Sequence, residues 1–160
     1  MLLAVYKVGS QLFLSKPHDK DLLYIYETDQ EVIEQLKNYK PAESLDIHFS
    51  TPQRETRAFI GMYGLHYAQH EAGEHIKEVE EHNMFDENVK RAYKELVLKT
   101  IPRLRLNNKL WYHIYIAKCL YEKGKYYKFT KAEKCTFQKI HDEGVDEELK
   151  NNLINYFNNL

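Results

Sequence analysis

Leu2-Leu3-Ala4-Val5-Tyr6-Lys7-Val8-Gly9-Ser10 and, after a polar turn at Lys16-Pro17-His18, Asp19-Lys20-Asp21-Leu22-Leu23-Tyr24-Ile25-Tyr26 decide how this chain is read. Both carry short runs of β-branched, aromatic and aliphatic residues at strand length. The glycine–serine pair closes the first run, and Gln11-Leu12-Phe13 then offers a turn or a short helical segment before the second. Working outward, residues 30–39 place Val32, Ile33 and Leu36 on one helical face, and Pro41 ends that pattern. Leu45, Ile47 and Phe49 alternate against Asp46 and His48, which reads as a third strand.

Beyond Ser50 the pattern becomes helical. Thr51-Pro52 is a good helix start, and Phe59, Tyr63, His66, Tyr67 and His70 repeat at helical spacing toward Gly73. Further helices are expected around Val89, Ala92, Tyr93 and Leu96 up to Pro102, around Leu110, Ile114, Ala117 and Tyr121 up to Gly124, and over 130–141 and 146–157. The expectation is an α+β fold: a small mixed sheet in residues 1–50 and a helical array in residues 51–160, packed as one compact unit.

Composition limits the rest. With 160 residues, 43% hydrophobic and 29% charged, the chain can build a core and is not a disordered tail. A net charge of −1, from 23 basic and 24 acidic residues, argues against a protein that coats DNA by charge alone. Thirteen tyrosines suggest half-wet core edges. No secretory leader pattern and no apolar run of spanning length occur, so no membrane and a cytoplasmic location are expected. The two cysteines, Cys119 and Cys135, make neither a disulfide framework nor a zinc motif.

The acids near the first turn carry the chemistry. Residues two apart on a strand point to one face, about 6 to 7 Å apart, so Asp19 and Asp21 suit joint ligation of magnesium. Asp46 on the third strand is positioned to join them, and three carboxylates on one face call for a divalent ion. Gly9 lets a triphosphate approach the backbone, and Ser10 adds a hydroxyl and an amide donor.

Gly9-Ser10, a spacer, Asp19-x-Asp21 and a later strand aspartate resemble the polymerase-β nucleotidyltransferase superfamily. Gly9-Ser10-Gln11-Leu12-Phe13 and His18-Asp19-Lys20-Asp21 followed by Ile25-Tyr26 are similar to its RNA-repair-associated predicted members, common in bacteria and their phages. A second block resembles that group's C-terminal helices: Lys109-Leu110-Trp111-Tyr112-His113, Leu120, Gly124, Ile140-His141-Asp142-Glu143-Gly144 and Glu147-Glu148. The resemblance implies transfer of a nucleoside monophosphate from a nucleoside triphosphate to RNA or another nucleic acid, with Mg2+ or Mn2+. Asp19 and Asp21 would bridge two metals, Asp46 would ligate the catalytic one and serve as base, and Lys109 and His113 would reach the nucleotide.

The spacing departs from the superfamily, because only eight residues separate Ser10 from Asp19. One alignment shortens the loop and keeps Asp19 and Asp21 as ligands; it is preferred because Asp-Lys-Asp and Ile-Tyr match as a unit. The ungapped alignment puts Asp21 at the first catalytic position and Leu23, which cannot bind metal, at the second. Leu14 also stands where a glycine is usual. The alternative function is therefore a catalytically degenerate fold that binds a nucleotide, a nucleic acid or a protein. Convergence of Asp19, Asp21 and Asp46 on one point discriminates the two.

Other constellations are weaker. His66 and His70 at i, i+4, with His75, Glu71 and Glu74 nearby, lack the zinc-protease pattern and read as a solvated helix face. There is no phosphate-binding Gly-Lys-Ser/Thr loop and no glycine-flanked nucleophile. Lys99, Arg103, Arg105, Lys109, Lys123, Lys125, Lys128, Lys131 and Lys134 interleave with Trp111, Tyr126, Tyr127 and Phe129, a mixture suited to a nucleic-acid backbone or to an ordinary helix surface.

Overall fold

The computed structural model describes residues 1–56, 68–80, 87–124 and 127–160, the side chains of residues 56, 88 and 89 excepted. The fold is α+β. Its sheet has four strands in the order β3-β2-β1-β4: β1 (Leu2–Val8), β2 (Lys20–Tyr26), β3 (Leu45–Ser50) and β4 (Gln69–Gly73). β1 runs antiparallel to both β2 and β4, whereas β2 and β3 are parallel. The sheet is therefore mixed.

The parallel pair requires a crossover, and α1 (Asp29–Asn38) supplies it. Thr28 starts α1 with a full capping box: its hydroxyl accepts the Glu31 N–H, and the Glu31 carboxylate accepts the Thr28 N–H. Tyr39 ends the helix in extended geometry two residues ahead of Pro41. Two short helices follow β3, α2 (Pro52–Thr56) and α3 (Lys77–Glu80).

The core face of the sheet follows from strand register. Partners across a ladder share a face, so Ala4, Tyr6, Leu23 and Ile25 line one side together. Ala4, Tyr6 and Ile25 form a buried cluster with Ile76 and Val79. Tyr6 pins this cluster, because its hydroxyl accepts the Ile76 N–H at 2.8 Å and donates to Glu80 Oε1 at 3.0 Å. The ring is fully buried, and desolvation keeps the phenol un-ionised by pushing its pKa up to about 12.

One expectation changes here. The sheet has a fourth strand, and it comes from the stretch that reads as helical up to Gly73. Gln69-His70-Glu71-Ala72-Gly73 shows no apolar alternation, and edge pairing with β1 overrides its helix-like spacing. The expected helix from Thr51 survives as α2; residues 57–67, His66 among them, lie outside the described residues. The chain divides into two compact units, and the first takes in α2, β4 and α3 beyond residue 50.

The second unit holds α4 (Glu87–Thr100), α5 (Leu110–Lys123), α6 (Lys131–Glu143) and α7 (Glu147–Asn158). Its core is Tyr93, Val97, Trp111, Ile114, Ile116, Leu120, Phe137, Leu153 and Phe157, each at most 1% exposed. Gly144 closes α6 at φ +83°, and an added Cβ would lie 1.9 Å from the Leu106 carbonyl oxygen. Only glycine fits there, because the Val145 N–H bonds that same oxygen at 2.7 Å. Both thiols are free, Cys119 buried and Cys135 exposed.

Tyr6→Phe is expected to destabilise the first unit by about 1 to 3 kcal/mol, because it leaves the Ile76 N–H buried without its acceptor. Urea unfolding measures this, and Tyr24→Phe on the half-buried opposite face serves as the control for loss of a hydroxyl.

Candidate metal centre

The register of β2 and β3 sets Asp21 directly beside Asp46 on adjacent parallel strands. His48, two residues along β3, returns to the same face and pairs across to Leu23. Its Nε2 lies 3.2 Å from Asp21 Oδ1 and 3.7 Å from Asp46 Oδ2. Each of the three residues offers one ligand atom, and these atoms all lie within 4.8 Å of one another. Cis ligand atoms on an ion bound at about 2.1 Å stand about 3 Å apart, so small rotations would close the cluster on one ion. The Asp21 side chain is 21% exposed, against 47% for Asp46 and 51% for His48. Ligand exchange with solvent is open.

The Gly9 turn abuts this cluster. β1 ends at Val8, whose partner is Asp21, and Gly9–Leu12 then forms a short 3-10 turn. Gly9 has φ +79°, and a Cβ on it would fall 2.6 Å from Asp21 Oδ2. The positive φ favours glycine, and any side chain here would push the Asp21 carboxylate aside. Gln11 ties the turn down, its Nε2 donating to the Val8 carbonyl at 3.1 Å and the Asp21 carbonyl at 2.5 Å. Ser10 sits in the turn, half-buried. Tyr39 steadies the other acid: its hydroxyl donates to Asp46 Oδ1 at 3.1 Å and accepts the Ile47 N–H at 2.7 Å.

Asp19 is not part of this cluster. β2 begins at Lys20, whose partner is Leu45, so Asp19 lies past the last rung in an exposed loop. No strand lies beside it to hold its side chain against Asp21. The expected convergence of Asp19, Asp21 and Asp46 is replaced by Asp21, Asp46 and His48. Sequence reasoning placed His48 on the third strand as a polar alternate only; the signal for its role was the Asp46-x-His48 spacing. Tyr39 and Gln11 carry no such signal, because both reach groups that only tertiary pairing brings close.

Lys109 and His113 lie in the second unit, Lys109 as the exposed residue capping α5 and His113 one turn later. The two sequence blocks quoted from the helical region do meet: the Tyr112 ring stands edge-on to His141 at 5.0 Å, and His141 Nδ1 lies 2.9 Å from Asp142 Oδ1. Burial, with His141 nearby, pushes the His113 imidazole down to about 4. It is neutral at physiological pH and supplies no positive charge to a phosphate. Trp111 is fully buried, its Nε1–H donating to the Arg105 carbonyl, and Phe129 is buried too. Tyr127 donates to Glu133 at 2.5 Å beneath Lys123. Trp111 and Phe129 are thus committed to the core, Tyr127 is half-buried, and Tyr126 lies outside the described residues.

Among the other histidines, His70 lies on β4 and stacks on His75 at 3.9 Å, while His75 Nδ1 meets Glu80 Oε1 at 2.5 Å. No described helix is long and apolar enough to cross a membrane. Comparison with family models, with curated proteins and with solved structures finds no match for this chain.

The depressed His113 pKa makes stability fall on acidification. Between the ordinary value near 6.5 and about 4 the unfolded chain takes up a proton that the folded chain refuses. This one group contributes a slope approaching about 1.4 kcal/mol per pH unit in that window and none below it. His113→Gln is expected to flatten the slope, read from urea unfolding at pH 7, 6, 5 and 4.5.

Proposed function

We propose that this protein is a divalent-metal-dependent nucleotidyltransferase whose ligand set is Asp21, Asp46 and His48. The observation that carries it is the pairing of Asp21 with Asp46 on parallel strands, against a turn whose positive φ favours glycine. The resemblance of Gly9-Ser10 and the following acids to polymerase-β-type nucleotidyltransferases supports the same reading. It fits the ungapped alignment better than the shortened loop, because Asp21, not Asp19, abuts the Gly9 turn.

Two carboxylates and one imidazole make a mixed oxygen–nitrogen donor set. Magnesium favours oxygen alone, whereas manganese and later first-row ions accept imidazole readily. Mn2+ or a later first-row ion therefore suits this site better than Mg2+. When bound, such an ion lowers the pKa of an attacking hydroxyl and offsets phosphate charge. Asp21 and Asp46 hold it from two strands, and His48 closes the third side. Gly9 leaves the backbone open to a phosphate oxygen, Ser10 donates its hydroxyl, and Tyr39 holds the Asp46 carboxylate in place. Three ligands on one small cluster suit a single ion, not the bridged pair that Asp19 would have completed.

The second reading is a binding module descended from such an enzyme. Two observations favour it: Asp19 is exposed outside the sheet, and Leu23, opposite His48, occupies the face position next to Asp21 where a second acid would complete a metal pair.

Calorimetric titration with Mn2+ and Mg2+, with and without a non-hydrolysable ATP analogue, tests both. Mn2+ is expected to bind more tightly than Mg2+. Asp21→Asn or His48→Ala should weaken Mn2+ at least tenfold with the fold intact by circular dichroism. Absence of Mn2+ binding to the wild-type chain would rule out the transferase. Metal-dependent nucleotide binding without incorporation of labelled NMP into any RNA, DNA or protein acceptor would move the protein to the second reading.

A further inference from the structure

The sheet has a second chemical face. Residues alternating with Asp21 and Asp46 point away from the metal cluster, and there Tyr24 pairs with Phe49 and Leu22 with Ile47. Tyr24, Tyr26, Tyr39, Ile47 and Phe49 line a cavity of about 400 Å3 that Lys40 also borders. Its rings are half-buried and meet at open angles: Tyr24 and Phe49 at 6.1 Å and 80°, Tyr39 and Phe49 at 5.2 Å and 80°, Tyr26 and Phe49 at 6.2 Å and 41°. Edge-to-face contacts leave parts of the ring faces turned outward rather than stacked on one another.

We propose that this groove binds a base of a single-stranded nucleic acid, so that the sheet carries the metal cluster on one face and the strand site on the other. A volume of about 400 Å3 lies in the range of small-ligand clefts, about 300 to 1,000 Å3. The exposed amides of Gln35 and Asn38 lie in the lining, where they match the edges of a base. Lys40 beside them, and Lys20 on the same face of β2, supply charge for phosphates. An apolar protein segment would cover the rings but bury the Gln35 amide and the Tyr24 and Tyr26 hydroxyls without supplying partners. Stacking on tyrosine tolerates any base, so little sequence preference follows.

β3 joins the two faces. Asp46 and His48 look to the metal side, Ile47 and Phe49 to the groove, and the Tyr39 hydroxyl passes between them to bond both Asp46 Oδ1 and the Ile47 N–H. A strand seated in the groove passes the β3 edge and can present its end to the metal side. The inference deepens the transferase reading by naming a single strand as the acceptor class. Base binding itself needs no metal.

Fluorescence anisotropy with an end-labelled single-stranded RNA of about ten nucleotides, in EDTA, tests it. Tyr26→Leu and Tyr24→Leu are each expected to weaken binding roughly tenfold, and an abasic strand of equal length to bind wild type as weakly as the variants bind RNA. Lys40→Ala, an exposed change that spares the core, is expected to weaken binding severalfold and reduce its salt dependence. RNA bound equally by wild type and both tyrosine variants overturns the proposal, as does an abasic strand bound as tightly as RNA, or no RNA binding at all. Sedimentation that shows a self-association lost in Tyr26→Leu, with RNA binding unchanged, assigns the groove to a second copy and overturns it too. Because EDTA removes metal, strand binding with no Mn2+ binding in calorimetry defeats the transferase and leaves the groove standing. Mn2+ binding without strand binding does the reverse.

Discussion

Two aspartates of like charge face each other across a parallel strand pair, and the surroundings of that pair make the arrangement tolerable. Coulomb repulsion between adjacent carboxylates is costly unless a cation or donor intervenes. The structure supplies three partial answers: the His48 imidazole within 3.2 Å of Asp21, the Tyr39 hydroxyl on Asp46, and exposure to water on the His48 and Asp46 side. The same face is apolar further along the strands, where Tyr6, Leu23 and Ile25 enter the core. The acids occupy the margin, where β1 has ended and the Gly9 turn leaves space. Inland on this face the charges would be desolvated; at the margin they remain exchangeable.

Rigidity of that margin comes from the core behind it. Tyr6 carries two hydrogen bonds from the centre of β1 to the segment after β4, and Gln11 fastens the turn to β1 and β2 at once. None of these bonds engages an oxygen of the Asp21 or Asp46 carboxylate, so they position the carboxylates without competing for their lone pairs. An ion at this cluster would then need only side-chain rotation. Binding free energy is not spent on ordering the strands.

The tyrosine-rich composition divides into two roles. In the helical unit Tyr93 and Tyr112 are buried, where desolvation holds their phenols protonated. Along the outer sheet face Tyr24 and Tyr26 stay half-wet around Phe49. The basic and aromatic mixture around Trp111 resembles a nucleic-acid surface as a string of letters, yet Trp111 and Phe129 fill a core. A π-face serves recognition only where packing leaves it uncovered, and side-chain type does not reveal that.

Much of the first unit was legible from residue order alone. Alternation in Leu45-Asp46-Ile47-His48-Phe49, the aliphatic run from Leu2 to Val8 and the helical face of Val32, Ile33 and Leu36 are local patterns, and local patterns set strands and helices. Gly9, Asp21 and Asp46 were identifiable because their chemistry depends on type and spacing. Asp19, His48, Tyr39 and β4 were not. Whether Asp19 lies in the strand depends on where β3 begins beside it, and His48 becomes a partner of Asp21 only through the parallel register. Gln69-His70-Glu71-Ala72-Gly73 is a strand because the edge of β1 offers it hydrogen bonds, not because its own residues prefer one. Sequence alone determined which residues had the right chemistry. Tertiary pairing decided which of them meet, because register between strands distant in the chain is a property of the sheet as a whole.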